Sequence, residues 1–215
     1  MSPFDWTSRD VTHLLPDDWR AQIMQVAEEE RIGRTLVSSH STSREATTHE
    51  ELPCGGVGGR VLSARLPWLR KLYDGEFLDV AKSMSEETVT TMLDDRFAMV
   101  LNIQSENERY ECHVDTNPVE ALLYCTSHPA GGGELVVSNR GDVRSVREVD
   151  EDCEIIVPRT GHLVLFDGRR HSHYVRQLVD PDDIRVVVAM NYYTESNPEW
   201  EVRPPDLNRH LTGQD

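Results

Sequence analysis

The sequence predicts an α+β chain, with helices first and then a run of short strands that form a sandwich or barrel. Three observations carry this. Residues 16–32 and 66–84 space their apolar side chains at helical intervals. From Arg96 onward the pattern shortens to β-type runs separated by turn residues. The 215 residues, 38% hydrophobic and 28% charged, suffice for one buried core and give no reason to posit two.

The first helix is PDDWRAQIMQVAEEERI, which sets Trp19, Ile23, Val26, Ala27 and Ile32 on one face, with Asp17 and Asp18 suited to its N-terminus. SSHSTSREATTHEELPCGGVGGR, residues 38–60, has no periodicity and is predicted to be a polar, Gly-rich loop. LPWLRKLYDGEFLDVAKSM is a second helix with a break at Gly75, and SEETVTTMLDD adds a further turn or two. The β-type runs are RFAMVLNIQ, VEALLYCTS, GELVVSN, CEIIVP, HLVLFD, HYVRQLV and IRVVVAMNYY. With the segment around His113 they make about eight strands. The expected organisation is therefore a helical region at 1–95, a β core at 96–193 and a Pro-rich polar tail at 194–215, all in a single domain.

A formal net charge of −16 repels phosphate backbones, so nucleic acid is not an expected partner. MSPFDWTSRD lacks the apolar stretch of a secretion signal, and no apolar run reaches the ~20 residues of a membrane span. Cys54, Cys112, Cys125 and Cys153 form no CxxC pair and are expected to be reduced thiols. The expectation is a cytoplasmic protein without a membrane partner, its oligomeric state open.

Two short stretches carry chemistry. YECHVDT places His113 and Asp115 two apart, so on a strand both side chains reach one point. An imidazole and a carboxylate from one strand, with a histidine from a distant strand, make the facial triad of non-haem Fe(II) oxygenases. FDGRRHSHYV offers His171 and His173 for that third position. Parity does not separate them, but HYVRQL has the character of a strand and GRRHS that of the turn entering it. A rigidly held ligand belongs on the strand, which selects His173 and leaves His171 as a neighbour behind the ligands.

The order HVD, ALLY, GGGEL, PRTGHLVLFDGRRHSHYV, IRVVVAMNYY resembles the 2-oxoglutarate- and Fe(II)-dependent dioxygenases, in particular their prolyl-hydroxylase-like branch. The resemblance covers Arg96 to Tyr193. It implies a double-stranded β-helix, a jelly-roll or cupin-like core, with the N-terminal helices packed on it. It implies Fe(II), 2-oxoglutarate and O₂, with release of succinate and CO₂. It puts His113, Asp115 and His173 on the iron ligands and Arg185 on the residue that grips the distal carboxylate of 2-oxoglutarate, which suits a guanidinium. Tyr124 falls on a tyrosine that donates to the same carboxylate, although core packing explains it equally well. Related halogenases replace the carboxylate ligand with a small residue. Here Asp115 is kept, so hydroxylation or desaturation is expected, not halogenation.

The expected substrate is a small polar metabolite, a free amino acid or derivative, because LPWLRKLYDGEFLDVAKSM ahead of the core resembles the small stand-alone enzymes that modify free amino acids. Nucleic-acid dealkylases of the superfamily carry an arginine where this chain has Asn191. Asn191 shares the parity of Arg185 and is a candidate substrate contact, with a structural role as its alternative. The 38–60 loop is a candidate lid, with His40, His49 or Arg60 reaching substrate. The rival functions are a peptidyl, prolyl-type hydroxylase and a cupin-like barrel that binds metal or ligand without turnover.

Overall fold

The computed structural model describes residues 4–36, 52–106, 108, 110–141, 143 and 145–203. Helix α1 (Trp19–Glu30) buries Trp19, Ile23, Val26 and Ala27, the face its spacing predicts. Three short helices follow later in the chain: α2 (Gly59–Arg65), α3 (Pro67–Asp74) and α4 (Glu76–Lys82). Pro67 opens α3, where its missing N–H would be unpaired in any case. Gly75 separates α3 from α4, as expected. No helix among the described residues is long and apolar enough to cross a membrane.

The strands are β1 (Trp6–Asp10), β2 (Ile32–Leu36), β3 (Leu52–Val57), β4 (Val89–Thr91), β5 (Met99–Gln104), β6 (Tyr110–His113), β7 (Val119–Tyr124), β8 (Leu135–Ser138), β9 (Cys153–Ile156), β10 (His162–Phe166), β11 (His173–Val175) and β12 (Arg185–Thr194). Among the described residues they form an eight-stranded sheet in the order β1-β10-β7-β12-β5-β3-β2, with β4 also on β12, and a four-stranded sheet β6-β11-β8-β9. All pairings are antiparallel. The large sheet has two different faces. Leu101, Leu123, Leu165, Val186, Val188 and Met190 pack against α1 to α4. Leu122, Tyr124, Val164, Phe166, Val187 and Ala189 turn the other way and meet Leu135, Val137 and Val175 of the small sheet. Two face-to-face antiparallel sheets with helices against one side are the double-stranded β-helix the sequence predicts.

Several expectations need correction. The region 1–95 is not only helical, because it supplies β1 to β4. Ile32 does not extend the buried face of α1; it starts β2 and is 62% exposed. The 38–60 loop contains β3, and Gly59 and Arg60 open α2; residues 37–51, with His40 and His49, lie outside the described residues. β3 escaped the sequence pattern because its glycines serve a close approach rather than a bend. A Cβ on Gly55 would lie 2.3 Å from the Arg31 Nε, whose guanidinium crosses this strand to pair with Glu108 at 2.7 Å. Residues 89–91 are strand, not helix, and their β-branched VTT explains it. A further helix, α5 (Val146–Glu151), was not anticipated. Its signal is SVRE: the Ser145 hydroxyl accepts from the Glu148 N–H, the N-terminal half of a capping box.

Candidate metal centre

The two histidine-bearing stretches meet at the start of β11. His113, the last residue of β6, is the direct cross-strand partner of His173, the first residue of β11. Their rings lie 4.3 Å apart, centre to centre. Asp115 comes after the strand has ended, so strand parity does not place it. The turn does: the Asp115 N–H donates to the Gly168 carbonyl at 2.9 Å, which brings the carboxylate back between the rings. Asp115 Oδ1 lies 3.5 Å from His113 Nε2, and Oδ2 lies 3.3 Å from His173 Nε2. One potential ligand atom from each of the three residues falls within 4.8 Å of the others.

Gly168 is a site residue the sequence did not announce. A Cβ there would sit 2.3 Å from Asp115 Oδ2, so a side chain at this position and the carboxylate exclude each other. His173 is 3% exposed. Its Nδ1 donates to the His171 carbonyl at 3.0 Å, which turns Nε2 toward Asp115. The His171 ring itself points elsewhere: its Nδ1 meets the Ser138 carbonyl at 2.8 Å and the ring rests edge-on against Phe4. His171 thus touches the centre through its backbone alone. Burial alone would raise the Asp115 carboxyl, but the charges and hydrogen bonds of His173 and His113 outweigh it and hold the group well below the ordinary carboxylate range. Two imidazoles and a carboxylate converging from one side are a donor set for a divalent first-row metal, with the other coordination positions left open.

Arg185 lies on the same inner face, at the start of β12, and is 2% exposed. Its Nε donates to the Gly133 carbonyl at 2.9 Å, and its guanidinium carbon lies 5.6 Å from the centre of the Tyr124 ring. Among the described residues no carboxylate pairs with it. The Tyr124 hydroxyl is likewise buried with no hydrogen-bond partner. Burial raises its phenol above the ordinary value, with Arg185 opposing. A buried cation beside a buried, unmatched hydroxyl calls for an anion that accepts from both, and a carboxylate fits. Gly131, Gly132 and Gly133 make this possible. All three have positive φ (95°, 88° and 73°), and a Cβ on Gly133 would meet the Arg185 Cδ at 3.0 Å.

Asn191 faces inward as parity predicts, and its Nδ2 donates to the Phe97 carbonyl at 2.7 Å. That hydrogen bond supplies the structural role weighed for it. Arg60 is exposed on α2, which packs on the other side of the large sheet; the structure does not bring it to the three ligands. Glu120 was missed altogether. It is 6% exposed in the middle of an apolar strand, on the face of Leu122 and Tyr124. Burial, and then the negative charge of Asp115, push its carboxyl well above the ordinary range. The signal was a lone Glu at an inward position of VEALLY.

Residues 98–193 match the family model of the 2OG-Fe(II) oxygenase superfamily. No curated protein matches the chain. Among solved structures, the carbocyclase SnoK from nogalamycin biosynthesis, described as non-haem and α-ketoglutarate dependent, is similar with a TM-score of 0.65 at 13% identity, over 99% of this chain and 88% of that one. HygX from Streptomyces hygroscopicus, solved with nickel and 2-oxoglutarate bound, gives 0.59 at 11% identity over 90% and 84%. A prolyl hydroxylase from Trichoplax adhaerens, in complex with a hypoxia inducible factor oxygen degradation domain peptide fragment, gives 0.59 at 14% identity over 91% and 86%. At these identities the structural likeness speaks for the fold.

Proposed function

Residues 98–193 belong to the 2OG-Fe(II) oxygenase superfamily, and from that premise we propose that His113, Asp115 and His173 hold Fe(II), that Arg185 and Tyr124 bind the distal carboxylate of 2-oxoglutarate, and that the chain hydroxylates an unactivated C–H bond of a small polar metabolite, a free amino acid or derivative. The observation that carries the proposal is Arg185, buried without a carboxylate partner among the described residues, on the same inner face as the three converging ligands. The family membership sets aside a barrel that only binds ligand.

Iron and 2-oxoglutarate together supply the activation of O₂, with the cosubstrate as its reductant, leaving as succinate and CO₂. The protein's own residues do the rest. Nε2 of each histidine and the Asp115 carboxylate would hold the metal, and the His171 carbonyl fixes the His173 ring. Leu122, Val187, Ala189 and Phe166 share one buried apolar cluster with Tyr124, which gives the inner face an apolar surface that would keep water from the reacting centre. Retention of Asp115 supports hydroxylation rather than halogenation.

A peptidyl substrate is the second reading, favoured by the similarity to the prolyl hydroxylase solved with a peptide fragment. Anaerobic addition of Fe(II) and then 2-oxoglutarate should give a weak visible absorption band that needs both. A folded protein that gives no band sinks the proposal. Succinate release stimulated by free amino acids, and not by proline-containing peptides, separates the first reading from the second.

A further inference from the structure

Among the described residues, Arg185 is not the one ionisable side chain buried on the inner face without a counter-ion. Glu120 stands two inward positions along β7 from Tyr124, so the two groups lie toward opposite ends of one apolar row, with Leu122 between them. Glu120 pairs across the strands with Phe166 on one side and Asn191 on the other. One of its oxygens, Oε2, accepts from Asn117 Nδ2 at 2.7 Å. Its Oε1 accepts from no described residue, and no Lys, Arg or His among the described residues pairs with the carboxylate. A carboxyl buried without a cation favours its neutral form, and a positive partner is what favours the carboxylate. Asn191 spends its Nδ2 on Phe97, and its Oδ1, also without a donor among the described residues, adds a second acceptor beside the first.

Resting on the oxygenase reading above, we propose that Glu120, with the Asn191 carbonyl oxygen beside it, is the substrate-recognition element of the site and takes a cationic group, an ammonium or guanidinium. The inner face then has two complementary ends. Arg185 receives the anionic cosubstrate and Glu120 the positive end of the substrate, with the His173 ring of the triad 5.3 Å from that of Phe166, the cross-strand neighbour of Glu120. The net charge of −16 acts in the same direction, since it attracts cations toward the molecule. Burial is what makes the recognition selective. A neutral isostere leaves the carboxylate unmatched, and a site built around a buried polar group rejects the analogue that lacks its partner.

The test uses n-butylammonium and n-butylguanidinium as probes and 1-pentanol as the neutral control, at millimolar concentration. Binding is followed by ligand-observed NMR on the metal-free protein and by the absorption band on the protein loaded with Fe(II) and 2-oxoglutarate. At least one cation is expected to bind in both forms and the alcohol in neither. Glu120→Gln keeps an acceptor for Asn117 and should weaken that cation roughly ten- to a hundredfold. It should leave the band formed by iron and 2-oxoglutarate intact. Asn117→Ala, which removes the Nδ2 hydrogen bonds to Glu120 Oε2 and to the Val119 carbonyl but leaves the Glu120 side chain in place, should spare cation binding. Cations that bind no better than the alcohol, or that bind Glu120→Gln equally well, overturn the proposal. So does an equal loss in Asn117→Ala, which would make Glu120 a support for the turn. A missing band, with cation binding lost only in Glu120→Gln, fails the oxygenase reading alone and keeps Glu120 as the cation-binding group of the inner face.

Discussion

The two faces of β12 differ by one residue of register and by their whole purpose. Val186, Val188, Met190 and Tyr192 point into the helices and are at most about 0% exposed, an unbroken apolar row. Arg185, Val187, Ala189 and Asn191 point toward the small sheet, with small apolar residues in the middle and polar ones at the ends. The outer row excludes water for stability, while the inner row shapes a space and fixes charges in it. One strand can do both because alternate side chains point to opposite sides of a sheet. Substitutions should therefore split, with inner ones costing binding and outer ones costing stability.

The largest effect is expected at the wall that faces Arg185's row. His173→Ala removes a side chain whose Nε2 is one of the three converging atoms. It should abolish the iron-dependent absorption band and turnover, a greater loss than the ~10- to 100-fold typical of residues behind a metal ligand. His171→Ala should retain most activity, because the carbonyl that orients His173 belongs to the backbone. A dead His171→Ala beside an active His173→Ala would reverse the assignment.

Next in size is Arg185→Ala. Removing one partner of a buried charge pair typically costs ~2–5 kcal/mol, so KM for 2-oxoglutarate should rise on the order of 10²- to 10³-fold. Iron affinity, measured in the absence of 2-oxoglutarate, should stay close to wild type. Parallel loss of both would point to collapse of the inner face and would break the split.

The sequence made much of this legible, for reasons that can be named. The runs 99–104, 119–124 and 185–194 were visible as strands because burial on both faces makes them largely apolar. The triad was visible because His-x-Asp and a distant strand histidine are a specific donor set. Asp115 nevertheless reaches the site through a turn held by Gly168, a hydrogen bond and a clearance that no strand pattern encodes. β1 was invisible because WTSRD is an exposed edge strand with little apolar character, held by its pairing with β10. Glu120 was passed over because a single charge in an apolar strand breaks the pattern used to find the strand. His128 opens a turn in SHPAGGG, its carbonyl accepting from the Gly131 N–H, and yet its side chain is 8% exposed and bonded to Asp183 and Thr126, which the turn residues around it conceal.

On the outer face, Met190→Ala should cost ~2–5 kcal/mol of unfolding free energy, as for other buried large-to-small changes. Urea denaturation would measure it. KM for 2-oxoglutarate should be unchanged at temperatures where the variant is folded. A Met190 variant that loses cosubstrate binding while fully folded would show that the two faces are coupled.

The smallest effect sharpens the comparison at the Arg185 end. His128 Nδ1 faces Asp183 at 3.2 Å, its Nε2 faces the Thr126 hydroxyl at 3.1 Å, and Thr126 in turn accepts from the Val186 N–H. Burial is the main cause that lowers the His128 pKa below its ordinary 6.5, with Asp183 opposing. The folded protein therefore holds the ring neutral, and as pH falls the unfolded chain takes up the proton first. The stability this contributes is fully present above about pH 6.5 and is lost as pH drops below it. The urea midpoint should fall on going from about pH 7.5 to about pH 5.5, and the fall should be smaller in His128→Gln, which keeps a polar side chain but does not titrate. An unchanged fall in the variant would remove His128 as its source and assign the acid sensitivity to other groups.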